Sequence, residues 1–109
     1  MEHAYKVAAK LGRALIERDR PEDARHLLGT QVVVVRGQYD QGESIFGLCD
    51  IRHSTIDPEQ VAQVGLDPDQ ILFVNCPGKL PERGLEKVRS FVEQGGMLVT
   101  TDWALRGVI

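Results

Sequence analysis

"ILFVNCPGK", residues 71 to 79, is the stretch on which the fold turns: four apolar residues run without alternation into an Asn, a Cys, a Pro and a Gly. An uninterrupted apolar run of this length, bounded by turn residues, reads as a strand buried on both faces, and such strands belong to parallel sheets covered by helices. Asn75 to Gly78 then form the loop that leaves the strand's carboxyl end. Upstream, "QVVVV" (31 to 35) is a β-branched run of the same kind, and downstream "MLVTT" (97 to 101) is another. "DIRHSTI" (50 to 56) is a weaker strand with Ile51, His53 and Thr55 on one face and Arg52, Ser54 and Ile56 on the other.

The segments between these strands have helical spacing. From Pro81 to Gln94, Leu85, Val88 and Val92 form an apolar stripe that Phe91 widens, and Glu82, Glu86, Lys87, Arg89 and Glu93 keep to the wet side. Gly95 and Gly96 supply a left-handed stop. A short helix is expected between Glu43 and Asp50, and "DPEQVAQVGLDPDQ", with Pro58 and Pro68, predicts one helical turn between two loops. Ahead of the first strand, Ala4, Val7, Ala8, Leu11, Ala14 and Leu15 place an amphipathic helix over Glu2 to about Arg18. Pro21 opens a second helix that runs to about Leu28 and closes at Gly29. No second copy of this helical pair recurs at a fixed period.

The pattern predicts an α/β fold: a flavodoxin-like parallel sheet of about four strands with flanking helices, preceded by an N-terminal helical pair. The corresponding division is a helical segment over 1–30 and an α/β domain over 31–109, the latter open to continuation beyond Ile109. A four-stranded sheet leaves an apolar edge that the N-terminal helices, a partner or further chain must cover.

With 109 residues, 42% hydrophobic and 27% charged, and a formal net charge of −3, the composition is that of one soluble globular unit. Residues 1 to 36 carry seven Lys or Arg against five Asp or Glu, and residues 37 to 109 carry six against eleven. An acidic body without clustered cations argues against nucleic acid as a partner. No apolar run is long enough to cross a bilayer and the N-terminus lacks the pattern of a secretory signal, so no membrane partner and a cytoplasmic location are expected. In that compartment Cys49 and Cys76 are expected as reduced thiols rather than a disulfide.

In a doubly wound sheet, ligands bind beyond the carboxyl ends of the strands, where the strand order reverses. With the order 2-1-3-4, that crevice gathers Gly37, Tyr39 and Asp40 after the first strand with Asn75, Cys76, Pro77 and Gly78 after the third. Thr101, Asp102 and Trp103 lie beside it after the fourth. Turn chemistry offers a plainer account: Gly37 and Gly78 make turns, Asn75 bonds backbone at a strand end, and Trp103 fills core. Asp40 and Asp102 could hold Mg²⁺ or share a proton, but no further ligands stand at a diagnostic spacing, so neither a metal nor a cofactor is expected. "GQYDQGE" lacks the glycine spacing of phosphate-binding loops. Cys76 as a nucleophile would need a cationic neighbour, for which Lys79 is the nearby candidate.

The pattern "ILFVNCPGKLPERGLEKVRSFVEQGGMLVTTDWAL" resembles the class I glutamine amidotransferase-like superfamily, over roughly residues 31 to 105 and most specifically over Ile71 to Leu105. The resemblance implies that "NCPG" occupies the place of a Gly-Gly-Pro-Gly loop whose backbone amides stabilise an oxyanion. It places the nucleophile in "TTDWA", at Thr101 or Asp102, where active members carry Cys. This chain has no Cys there, and the His and acidic partner that the family supplies after the elbow have no counterpart. His3, His26 and His53 lie at positions the family does not use. The expectation is a non-catalytic binding, scaffolding or regulatory module with a protein partner or a second copy, and with room for a small-molecule ligand. The alternative is a hydrolase-type enzyme sited at the Asn75–Gly78 and Thr101–Trp103 loops and completed by a partner chain.

Overall fold

Four parallel strands, β1 (Val32–Val35), β2 (His53–Ile56), β3 (Ile71–Val74) and β4 (Met97–Thr100), form one sheet in the order β2-β1-β3-β4 in the computed structural model. The structure describes residues 2–38, 41–101, 104 and 108. In-register pairing sets Val32 beside both His53 and Ile71, and Ile71 beside Met97. The expected fold class and strand order are therefore observed, all strands running parallel and the strand order reversing between β1 and β3.

Central position explains why β1 is buried at all four residues: it has a strand on each side and a helical layer on each face. One face carries Val33, Val35, Leu72 and Val74, which pack against Val88 and Phe91 of α4 (Glu82–Glu93), with Val61, Ala104 and Val108. The other face is covered by α3 (Gly42–Leu48), whose Phe46 meets Phe73 edge-on at 5.3 Å and lies 5.9 Å from the ring of His53. The N-terminal helix α1 (Glu2–Asp19) packs against α3 and against α2 (Pro21–Gly29), which places it on the α3 side of the sheet. The segment between β2 and β3 contains one 3₁₀ turn, Pro58–Gln60, as its two prolines foretell.

Both crossover helices end in the same way. In α4, Gly95 adopts φ +98°, its N–H bonding to Val92 O and that of Gly96 to Phe91 O, the paired bonds of a Schellman stop. Only Gly95 has the left-handed backbone; Gly96 is required because a Cβ there would overlap the Phe91 ring. In α3 the left-handed place is taken by Asp50, φ 54°, with Ile51 N–H on Phe46 O. The expected stripe of α4 is shifted by its tertiary setting: Gly84, Val88 and Phe91 are buried, but Val92 is 44% exposed.

The α4-side core predicts the energetic hierarchy. Leu72→Ala, at a fully buried site, should cost about 2–5 kcal/mol. Met97→Ala, at a site 59% exposed on the edge strand, should stay within about 0.5 kcal/mol. Urea unfolding of both variants measures the difference, and equal losses would contradict the assignment of the core.

Candidate functional site

Three chain segments meet at the carboxyl edge of the sheet because the strands deliver them there in register: Asn75 N–H bonds to Val35 O, and Thr101 N–H to Val74 O. After β3 the chain turns sharply through Asn75, Cys76, Pro77 and Gly78, with Cys76–Pro77 in the cis form. Asn75 is fully buried. Its Oδ1 accepts the N–H of Gly42 at 2.9 Å, and its Nδ2 donates to Val35 O at 3.1 Å and to Glu43 Oε2 at 2.9 Å. The side chain thus fastens the end of β1, the end of β3 and the first turn of α3 to one another, the arrangement its buried polarity demands.

Cys76 is held through its backbone. Its N–H donates to Thr101 Oγ1 at 3.1 Å, and its carbonyl accepts from Gln38 N–H at 3.0 Å. The side chain is 1% exposed, and neither Cys76 nor Cys49 forms a disulfide. Gly37 passes so close to this carbonyl that a Cβ would overlap it. Gly78, at φ +70°, lies against Ala104, where an added Cβ would come within 2.7 Å of the Ala104 Cα. Both glycines therefore allow close approach between loops as well as turning the chain.

The structure brings together Gly37, Asn75, Cys76, Pro77, Gly78 and Thr101 of the residues singled out in the sequence. Tyr39, Asp40, Asp102 and Trp103 lie outside the described residues. Glu43 joins this group without having been anticipated. The available signal was an acidic side chain in the first turn of a helix that opens just after the carboxyl end of β1. Gly42 is likewise set by contact, since a Cβ there would meet the Phe73 ring.

His53 stands apart from the crevice, at the amino end of β2 and paired with Val32 at the start of β1. Three residues of strand, about 10 Å, separate that level from the carboxyl edge. Its Nδ1 lies 2.9 Å from Ile51 O. His3 and His26 are on α1 and α2. Among the described residues, no three His, Cys, Asp or Glu side chains are grouped so as to hold a metal ion, and no helix is long and apolar enough to cross a membrane. An apolar hollow of about 230 Å³ lies away from the crevice, between α1, Ala24 and the Cys49–Ile51 turn.

Replacing Asn75 separates its two roles. Asn75→Ala removes the acceptor of Gly42 N–H and should cost about 1–3 kcal/mol. Asn75→Asp restores that acceptor but sets a second carboxylate against Glu43, so the folded pair should hold a proton more tightly than the unfolded chain. Folded protein then binds more protons, and stability rises as pH falls. The deficit of Asn75→Asp relative to wild type should shrink below about pH 5, whereas that of Asn75→Ala should not; chemical denaturation across pH distinguishes them.

The chain matches no protein-family model, no curated protein and no solved structure.

Proposed function

We propose that the chain is a non-catalytic, glutamine amidotransferase-like α/β module that binds, scaffolds or regulates, and that it works in the cytoplasm, where two unbridged thiols stay reduced. The observation that carries the reading is the use made of Cys76: its backbone N–H and carbonyl join the loops after β4 and β1, and its side chain is 1% exposed. A covalent catalyst must present its nucleophile to substrate beside a positioned base. Cys76 instead lies beneath the loop it shapes. The likeness over Ile71 to Leu105 supports the family reading, and in that frame Thr101, at the elbow, accepts a hydrogen bond from Cys76 N–H.

In this reading the carboxyl edge of the sheet is the recognition surface for a small ligand or a partner's loop, through backbone groups and Glu43. Glu43 is the observation that favours the hydrolase alternative, because a partly buried carboxylate held by Asn75 is a plausible base for chemistry completed by another chain.

Alkylation of Cys76 separates the readings. In a Cys49→Ser background, iodoacetamide should modify native protein slowly at pH 6 to 8 and rapidly once urea unfolds it. Cys76→Ser should keep the fold and any ligand affinity. Rapid modification of native protein already at pH 6 would mark an exposed, activated thiolate and overturn the binding-module reading in favour of an enzyme.

A further inference from the structure

The apolar hollow between α1, α2 and the turn after α3 exists because α1 presents its small residues to the body. Val7, Leu11 and Leu15, the bulky members of its expected stripe, stand exposed, and from residue 3 to residue 19 only Ala9, Gly12 and Arg13 are even partly covered. The covered wall of the hollow is made by Ala9, Gly12, Ala24, Cys49 and Ile51, of which Ala24 is buried and the others are half-buried. Ile16 and Glu17 stand at its exposed rim.

Gly12 marks this space as unfilled. A glycine in mid-helix costs stability relative to alanine, and one demanded by close approach has a neighbour where its Cβ would stand, as Gly37 and Gly42 do. Gly12 has no atom within 4 Å of that place. Its missing side chain widens a hollow of about 230 Å³, and apolar space of about 150 Å³ is enough to take up a benzene ring.

The polar groups at the hollow narrow the choice of ligand. Arg13 Nε donates to Glu17 Oε1 at 2.9 Å, its Nη1 donates to Cys49 O at 2.8 Å, and Nη1 lies 3.7 Å from the Asp50 carboxylate. The cation and both carboxylates are thus engaged with one another, so neither sign of ligand charge finds a free partner. The same bonds fix the guanidinium beside the hollow, which Arg13 also lines, and a fixed guanidinium plane favours an aromatic ring over a saturated one. Arg13 Nη2 has no partner among the described residues, which leaves it to meet one acceptor.

We propose that the hollow is a binding site for a neutral, single-ring aromatic molecule that carries a hydroxyl or carbonyl oxygen, its ring over Gly12 and against Arg13. The site is separate from the carboxyl edge of the sheet and does not depend on what that edge recognises. Cys49, which lines it, reports on its occupancy, since Cys76 is 1% exposed.

Titration of the whole chain with p-cresol, followed by NMR, tests the site. Binding should saturate with a Kd of about 0.1–1 mM, within reach of so small a ligand. 4-Methylcyclohexanol, which has a similar outline without the π-face, and the anion p-toluate should each bind at least about fivefold more weakly. Gly12→Leu, whose side chain fills the hollow and favours the helix, should raise the Tm and weaken p-cresol at least about tenfold, and Ala9→Leu, a second filler of the same wall, should weaken it likewise. Gly12→Ala should raise the Tm and keep binding within about threefold. Saturating p-cresol should slow alkylation of Cys49 by iodoacetamide at least about fivefold in wild type and leave it unchanged in Gly12→Leu. The proposal is overturned by a wild type that binds no p-cresol up to about 10 mM, by folded filling variants that bind as wild type does, or by a Cys49 that p-cresol does not protect. Equal or tighter binding of 4-methylcyclohexanol or of p-toluate would overturn the neutral aromatic class.

Discussion

The carboxyl edge of the sheet depends on the buried carboxamide of Asn75. Its oxygen takes the N–H that begins α3, and its nitrogen is shared between the last residue of β1 and the carboxylate of Glu43. A carboxamide in water would lose little by breaking any one of these bonds; buried, it leaves an unsatisfied group for each bond broken. The loops after β1 and β3 consequently have one mutual arrangement. The tight approaches at Gly37 and Gly42 follow from it, because the segments drawn together by Asn75 leave no room for a Cβ against Cys76 O or the Phe73 ring.

The two faces of the sheet are secured by different means. On the α4 side, Leu72, Val74, Val88 and Phe91 are all nearly inaccessible to solvent, and burial of this kind stabilises in proportion to the apolar area removed from water. On the α3 side Val32 and Val34 are equally inaccessible, but the cover is a seven-residue helix whose Phe46 meets Phe73 and His53, with α1 packed against it. Ala8, Ala9 and Gly12 bring little apolar area to that junction, which leaves Arg13 as its specific link to the α3 terminus. The asymmetry explains how a helix with so regular an apolar pattern can dock on the body and still leave its ridge in water.

Much of this architecture was legible because the relevant signals are local. Val32 to Val35 and Ile71 to Val74 are too uniformly apolar to lie anywhere but inside a sheet, and Pro21, Gly29 and Gly95 mark helix ends through backbone preferences that need no tertiary partner. Signals set by distant contacts were misread or missed. Gly96 looks like a second stop residue but answers to the Phe91 ring; Val92 has the right period for burial, yet α4 turns Gly84 toward Val61 and leaves Val92 at the margin. Glu43 resembles any first-turn acid until the fold places Asn75 beside it. The α1 stripe shows the same limit: periodicity says which side chains share a face, and only packing says whether the body is what they face.

That distinction between local and distant signals bears on the crevice itself. A loop built for nucleophilic attack keeps its reactive side chain accessible and lets backbone amides converge on the space in front of it. Here the Cys76 amide is directed to Thr101 Oγ1, and its carbonyl to Gln38 N–H, so the backbone at the centre of the loop serves cohesion between strand ends. Rigidity of this kind favours recognition, since a preformed surface loses little entropy when it is bound. It disfavours a mechanism that requires Cys76 to emerge, because emergence would break the contacts that align β1, β3 and β4 at their common edge. Among the described residues, a group at this edge that the fold does hold in place is the Glu43 carboxylate, bonded by Asn75 Nδ2.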